Sequence, residues 1–159
     1  GNKFSIIPIS THINLKYVYK IINEKLLIKF LRNIFKYLNR RIYNFKYNEI
    51  KFLCYNPHCS ENGTLGNEDN LLKKIVKKFK AINGLYSSDS AFFKIKKNTL
   101  FLSTYHDQAL IPFKLLNKKS LNLTLGLNYR RLSPAHGTAK DLKGKNKADN
   151  TSYLTCLLF

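Results

Sequence analysis

The chain has 159 residues, 44% hydrophobic and 13% aromatic, enough for one domain with a real core and too little for two comfortable ones. Its 28 Lys and Arg against 9 Asp and Glu give a net charge of +19, but the lysines are spread among Asn, Ile, Tyr and Phe and form no arginine-rich block, so a nucleic-acid partner is not expected. Three cysteines without a CxxC pair, and apolar runs of only a few residues, exclude a disulfide framework, a zinc ribbon, a secretory core and a spanning helix, and point to a reducing, cytoplasmic setting with no membrane partner.

Residues 4 to 9, FSIIPI, read as a short buried strand that leaves the sheet at STH, placing His12 just beyond it. From Leu15 to Leu38 the apolar positions Val18, Ile21, Ile22, Leu26, Phe30, Ile34 and Phe35 recur three or four apart, the pattern of one long amphipathic helix. IKFLCY, residues 50 to 55, is a second strand, followed by the turn-rich NPHCSENGTLG that carries His58. Asn67 can cap a helix with Glu68 and Asp69 in its first turn and Leu71, Leu72, Ile75, Val76 and Phe79 on its inner face. TLFLSTY, residues 99 to 105, is a third strand with His106 directly after it, and SLNLTLGL, residues 120 to 127, alternates like a fourth. Glycine- and lysine-rich loop follows, and residues 150 to 159 begin a final helix.

Strands separated by helical patterns predict an α/β fold, an α/β/α sandwich with a mostly parallel sheet whose ligands collect outside the carboxyl ends of the strands. No GxGxxG occurs, so the usual dinucleotide fingerprint is absent. Of four histidines, His12, His58 and His106 each lie within a few residues of a different strand end. Three neutral imidazoles at one sheet edge suit a catalytic divalent metal such as zinc, although a histidine after a strand is also an ordinary loop residue. Asp107 can orient an imidazole, contact metal or substrate, or serve as a helix N-terminal acid, and Asp89 in SSDSAFF carries the same ambiguity. Lys114, Asn122 and Arg131 are a cationic and polar set suited to a small phosphorylated substrate, or solvated surface charges.

STHINL, NPHCSENGTLG, TYHDQALIPFK, LNLTLGLNYRRLS and HGTAKDLKGKNKAD occur in the order and approximate spacing of the 4-hydroxythreonine-4-phosphate dehydrogenase family of the vitamin B6 pathway, which the chain resembles from about residue 5 to its end. The resemblance implies a fold like isocitrate and isopropylmalate dehydrogenases and a homodimeric, metal-dependent enzyme using NAD or NADP. It makes His12, His58 and His106 ligands of a divalent metal (zinc, magnesium or cobalt) in an active site shared between subunits. Lys114, Asn122 and Arg131 fall at its substrate-binding positions, and Asp89 and Asp107 match catalytic-pocket acids. HGTA looks like a cofactor loop, which assigns His136, Gly137 and Thr138 to the nicotinamide nucleotide; the same residues also read as a glycine turn before a helix. The implied reaction is oxidation of 4-phosphohydroxy-L-threonine with decarboxylation, the metal stabilising charge on oxygen while Lys114 and Arg131 hold the phosphate.

The family's chains are roughly twice as long, so residues 1–159 are expected to be a carboxyl-terminal half, a truncated version of the fold with the amino-terminal half absent. Asn62 and Thr64 stand where the family usually has Gly and His, and Ala109 replaces the Gly after HDQ. Asn128 replaces a Pro, Leu132 a Thr, and Ala135 the Asp before HGTA. The alternatives are an inactive truncated fragment and a basic nucleic-acid-binding module without catalysis.

Overall fold

A computed structural model describes residues 1–137 and 140–159 of the chain. Strands β1 (Phe4–Pro8), β2 (Glu49–Leu53), β3 (Gly84–Tyr86) and β4 (Thr99–Ser103) form a wholly parallel sheet in the order β1-β4-β2-β3. The central strand β4 is buried at every position, as a strand covered on both faces must be. Its alternation assigns the two faces. Leu100 and Leu102, with Ile50 and Phe52 of β2, pack against Leu27, Leu31, Ile34 and Leu38 of α1 (Glu24–Leu38) and Leu72, Ile75 and Val76 of α2 (Glu68–Val76). Phe101, with Phe4 and Leu53, faces the other way onto Ala91 and onto Phe113 of α3 (His106–Leu116). Phe4 meets Phe101 and Phe113 edge-on at centroid distances of 5.2 and 5.7 Å, a geometry in which ring edges face ring faces. The result is the expected helix–sheet–helix sandwich.

Several elements differ from the sequence reading. The helix expected over 15–38 is two: a 3-10 helix at Leu15–Ile21, then α1. The break lies at Asn23, whose extended backbone (φ −129°, ψ 153°) and side-chain oxygen, accepting from the Leu26 amide at 3.0 Å, begin a new helix despite unbroken apolar periodicity. The fourth strand is not part of the parallel sheet. It is β5 (Leu121–Thr124), paired antiparallel with β6 (Arg131–Pro134), because Gly126 at φ +104° lies in the turn that reverses the chain. The three-residue β3 lies in a segment to which the sequence assigned no element, and the four-residue β6 is a strand where loop was expected. The last helix is α4 (Thr151–Leu157), whose Ser152 hydroxyl donates to Ser120 O at 2.5 Å and accepts from the Ala135 amide at 2.8 Å, tying α4 to both ends of the hairpin.

The cysteines also depart from expectation. Cys54, at the end of β2, is joined to Cys59 by a disulfide, with Cα atoms 5.0 Å apart, because the intervening turn brings the chain back on itself. Cys156 is free. Among the described residues no helix is long and apolar enough to cross a membrane.

Candidate functional site

A parallel sheet delivers every strand's carboxyl end to one edge, and β1, β4 and β2 are neighbours in it. His12, His106 and His58 follow these three strands and therefore share that edge. His12 and His106 come together, their ring centroids 5.5 Å apart. His106 is the first residue of α3, and its Nδ1 lies 2.7 Å from the Asp107 carboxylate, which orients the ring and leaves Nε2 free. His58 is not in this pair. Its Nδ1 lies 3.9 Å from Asp89, and both side chains are 61% exposed. Asp89 accepts from the Ser87 hydroxyl at 2.5 Å, which holds its carboxyl below the usual range, with the nearby His58 imidazole adding to the effect. Among the described residues no three His, Cys, Asp or Glu side chains form a group able to hold a metal within one chain.

The backbone under His58 is unusual. His58, Cys59, Ser60, Glu61 and Asn62 all have positive φ, between 44° and 66°, a left-handed run of residues none of which is glycine. Each such residue costs on the order of 1 kcal/mol, so the turn needs outside support. Asp69 supplies it. Buried in the first turn of α2, its carboxylate accepts from the Tyr55 and Asn56 amides at 2.6 and 2.9 Å and from the Ser60 hydroxyl at 2.7 Å. Asp69 was expected only as a helix N-terminal acid; its use as an anchor leaves no trace in periodicity. Asn67 occupies the cap position as expected, but its side chain makes no capping bond.

Hydrogen bonds tie the three strand exits together. The Ser10 hydroxyl donates to Thr104 O at 2.8 Å, joining the His12 segment to the end of β4. Gln108 Oε1 accepts from the Thr104 amide at 2.8 Å and hydroxyl at 2.9 Å, and its Nε2 donates to Cys54 O at 2.5 Å and Ser88 Oγ at 2.7 Å. Sequence reading passed over both Ser10 and Gln108.

The polar set is only partly assembled. The β5–β6 register pairs Asn122 with Ser133 and Thr124 with Arg131, so Asn122 and Arg131 stand on one face of the hairpin. Arg131 donates to Thr124 Oγ1 at 3.0 Å, and both Asn122 and Arg131 are exposed. Lys114 is exposed in the last turn of α3. His136 and Gly137 are exposed after β6, with His136 Nδ1 2.9 Å from Gly137 O; Thr138 lies outside the described residues. Two concavities, of about 510 and 790 Å³, are lined in part by residues such as Lys97 and Thr99 and by Phe45 and Tyr47, at the amino-terminal edge of the sheet, away from the histidines.

A family described as pyridoxal phosphate biosynthetic protein PdxA matches residues 1–159. The chain belongs to this family. Among curated PdxA relatives, the 4-hydroxythreonine-4-phosphate dehydrogenase of Sulfurihydrogenibium sp. is 39% identical over 158 residues, covering 96% of this chain and 49% of that protein. That of Aquifex aeolicus is 38% identical over 166 residues, covering 99% of this chain and 50% of that protein. The chain spans about half the length of the curated relatives it matches. The crystal structure of 4-hydroxythreonine-4-phosphate dehydrogenase from Klebsiella pneumoniae superposes with a TM-score of 0.76 at 28% identity, over 99% of this chain and 50% of that one. The corresponding structure from Burkholderia phymatum gives 0.69 at 27% identity, over 96% and 48%. The fold is thus the isocitrate-dehydrogenase-like α/β architecture of PdxA proteins.

Proposed function

We propose that the chain provides the carboxyl-terminal half of a metal-dependent, NAD(P)-linked dehydrogenase that oxidises and decarboxylates 4-phosphohydroxy-L-threonine during pyridoxal 5'-phosphate biosynthesis. The observation that carries this reading is the meeting of His12 and His106 at neighbouring strand ends, with Asp107 holding one imidazole, in a PdxA chain. Neutral imidazoles at a sheet edge with an orienting carboxylate are a donor set that fits zinc, cobalt or another divalent ion. The family resemblance implies a site shared between the subunits of a homodimer; since His12 and His106 meet within one chain and His58 stands apart, His12 and His106 would hold the ion and His58 of the second chain would complete the set. When bound, the ion supplies Lewis-acid stabilisation of negative charge on the substrate oxygen, and NAD or NADP accepts the hydride.

The chain's own side chains bind and orient. Arg131 offers a planar, permanently charged fork to the substrate phosphate, and Asn122 beside it on the hairpin adds amide donors. Lys114 adds a second cation to the same phosphate. Asp107 fixes the His106 ring, and Asp89, beside His58, would line the substrate pocket as the family resemblance implies. His136 and Gly137 would contribute to the cofactor site, as the family resemblance implies for the HGTA segment. The setting we propose is the cytoplasm, where a charged phosphate ester that cannot cross a membrane unaided is retained.

The test is direct. Purified protein with zinc, magnesium or cobalt and either NAD or NADP is expected to reduce the nicotinamide when 4-phosphohydroxy-L-threonine is added. Inactivity with every cofactor combination, together with no metal uptake, would remove the proposal.

A further inference from the structure

We propose that Gln108 is a positioning residue that sets the separation between the turn carrying His58 and the helix start carrying His106. This rests on the reading of both histidines as metal ligands, His106 toward one ion of the dimer and His58 toward the other. Gln108 is 8% exposed, and its amide is saturated: Oε1 accepts twice from Thr104, while Nε2 donates to Cys54 O and Ser88 Oγ. These partners belong to three different segments, the end of β4, the end of β2 and the turn before Asp89. Each sits close to a residue of the candidate site. Cys54 precedes His58 by four residues, Ser88 adjoins Asp89, and Gln108 follows His106 by two. Through Thr104 O the network extends to Ser10, two residues before His12.

The two halves of the amide have separable duties. The Oε1 half turns back on Thr104 within its own segment and resembles the reciprocal bond of a helix start. The Nε2 half reaches out to segments 54 and 20 residues away in sequence, where no helix needs it. Water has little access to this buried amide, so losing its donor leaves Cys54 O with only the longer bond from the Ser88 hydroxyl at 3.4 Å. Sub-ångström errors in ligand placement matter at a metal site, which makes such a tie functional as well as structural.

Gln108→Glu separates the two duties, because it keeps an oxygen for Thr104 and replaces the donors facing Cys54 and Ser88. Amide hydrogen exchange and cobalt binding are read on the full chain. The expected result is exchange at Cys54, Ser90 and Ala91 at least tenfold faster while the Thr104 amide stays protected, and cobalt affinity lowered tenfold or more with an altered visible spectrum. Ser88→Ala removes one acceptor without burying a charge, and serves if the glutamate chain does not fold; it is expected to shift the same amides in the same direction. Asn117→Ala is the control, since Asn117 is a buried amide bonded to Lys3 and Phe113 at the opposite edge of the sheet. Unchanged exchange at Cys54, Ser90 and Ala91, or an equal effect from Asn117→Ala, would overturn the proposal. If the unmodified chain takes up no cobalt, the ligand reading falls by itself and the exchange pattern still decides the role of Gln108.

Discussion

Single side chains decide two properties that the fold alone does not. The left-handed run at 58–62 spends conformational energy at Glu61, whose side chain is exposed and makes no hydrogen bond among the described residues. Glu61→Gly is therefore expected to raise stability by about 0.5–1 kcal/mol, measured by urea unfolding, against the usual rule that glycine destabilises. Glu49, at the start of β2, sets a pH limit. Burial pushes its carboxyl up, but the Lys51 ammonium at 3.1 Å and Lys96 at 3.5 Å more than reverse this, so it titrates below the usual range. Because the folded value lies below the unfolded one, this stabilisation is complete above the unfolded value and is lost as pH falls through the folded one. Glu49→Gln is expected to cost about 1–3 kcal/mol at neutral pH and to flatten this part of the acid limb of a stability–pH curve. A parallel curve merely shifted downward would show that Glu49 is not its source.

At the scale of elements, strand identity and helix faces were legible because burial leaves a period in the sequence. Phe101 against Leu100 and Leu102 is the clearest case: a short continuous apolar run rich in strand formers suits a strand covered on both sides. What periodicity could not show was where a helix begins again. Ile21 and Ile22 continue the apolar stripe across a break made by the backbone and side chain of Asn23. Asn23→Ala is expected to cost about 1 kcal/mol and to fray the first turn of α1, seen as lost helical signal and a lower unfolding midpoint. The site was partly legible for the same reason: histidines after predicted strands mark a sheet edge. Gln108 and Asp69 escaped because many of their partners are backbone atoms, of Thr104, Cys54, Tyr55 and Asn56, whose positions no side-chain pattern encodes. The disulfide escaped because a separation of five residues becomes a short span only through the left-handed turn.

For the whole molecule, the separation of His58 from the His12–His106 pair makes subunit pairing testable. His12→Ala and His58→Ala chains are each expected to lose cobalt uptake. Mixed in equal amounts after gentle unfolding and refolding, they should regain part of it, because a mixed dimer contains one intact ligand set. No recovery despite mixed dimers would mean that His12 and His58 come from the same chain. The net charge of +19 enters as a condition of such work, since self-repulsion of the chains is strongest at low salt.

The strand order β1-β4-β2-β3 has a further consequence. Among the described residues no strand pairs with the outer side of β1 or β3, so each presents a row of unused main-chain donors and acceptors. Pro8 interrupts the first row by removing an N–H, and the second is only three residues long. Both features shorten the template available to a stray strand, and a Pro8→Val chain is the one in which fibril growth at high concentration should first appear.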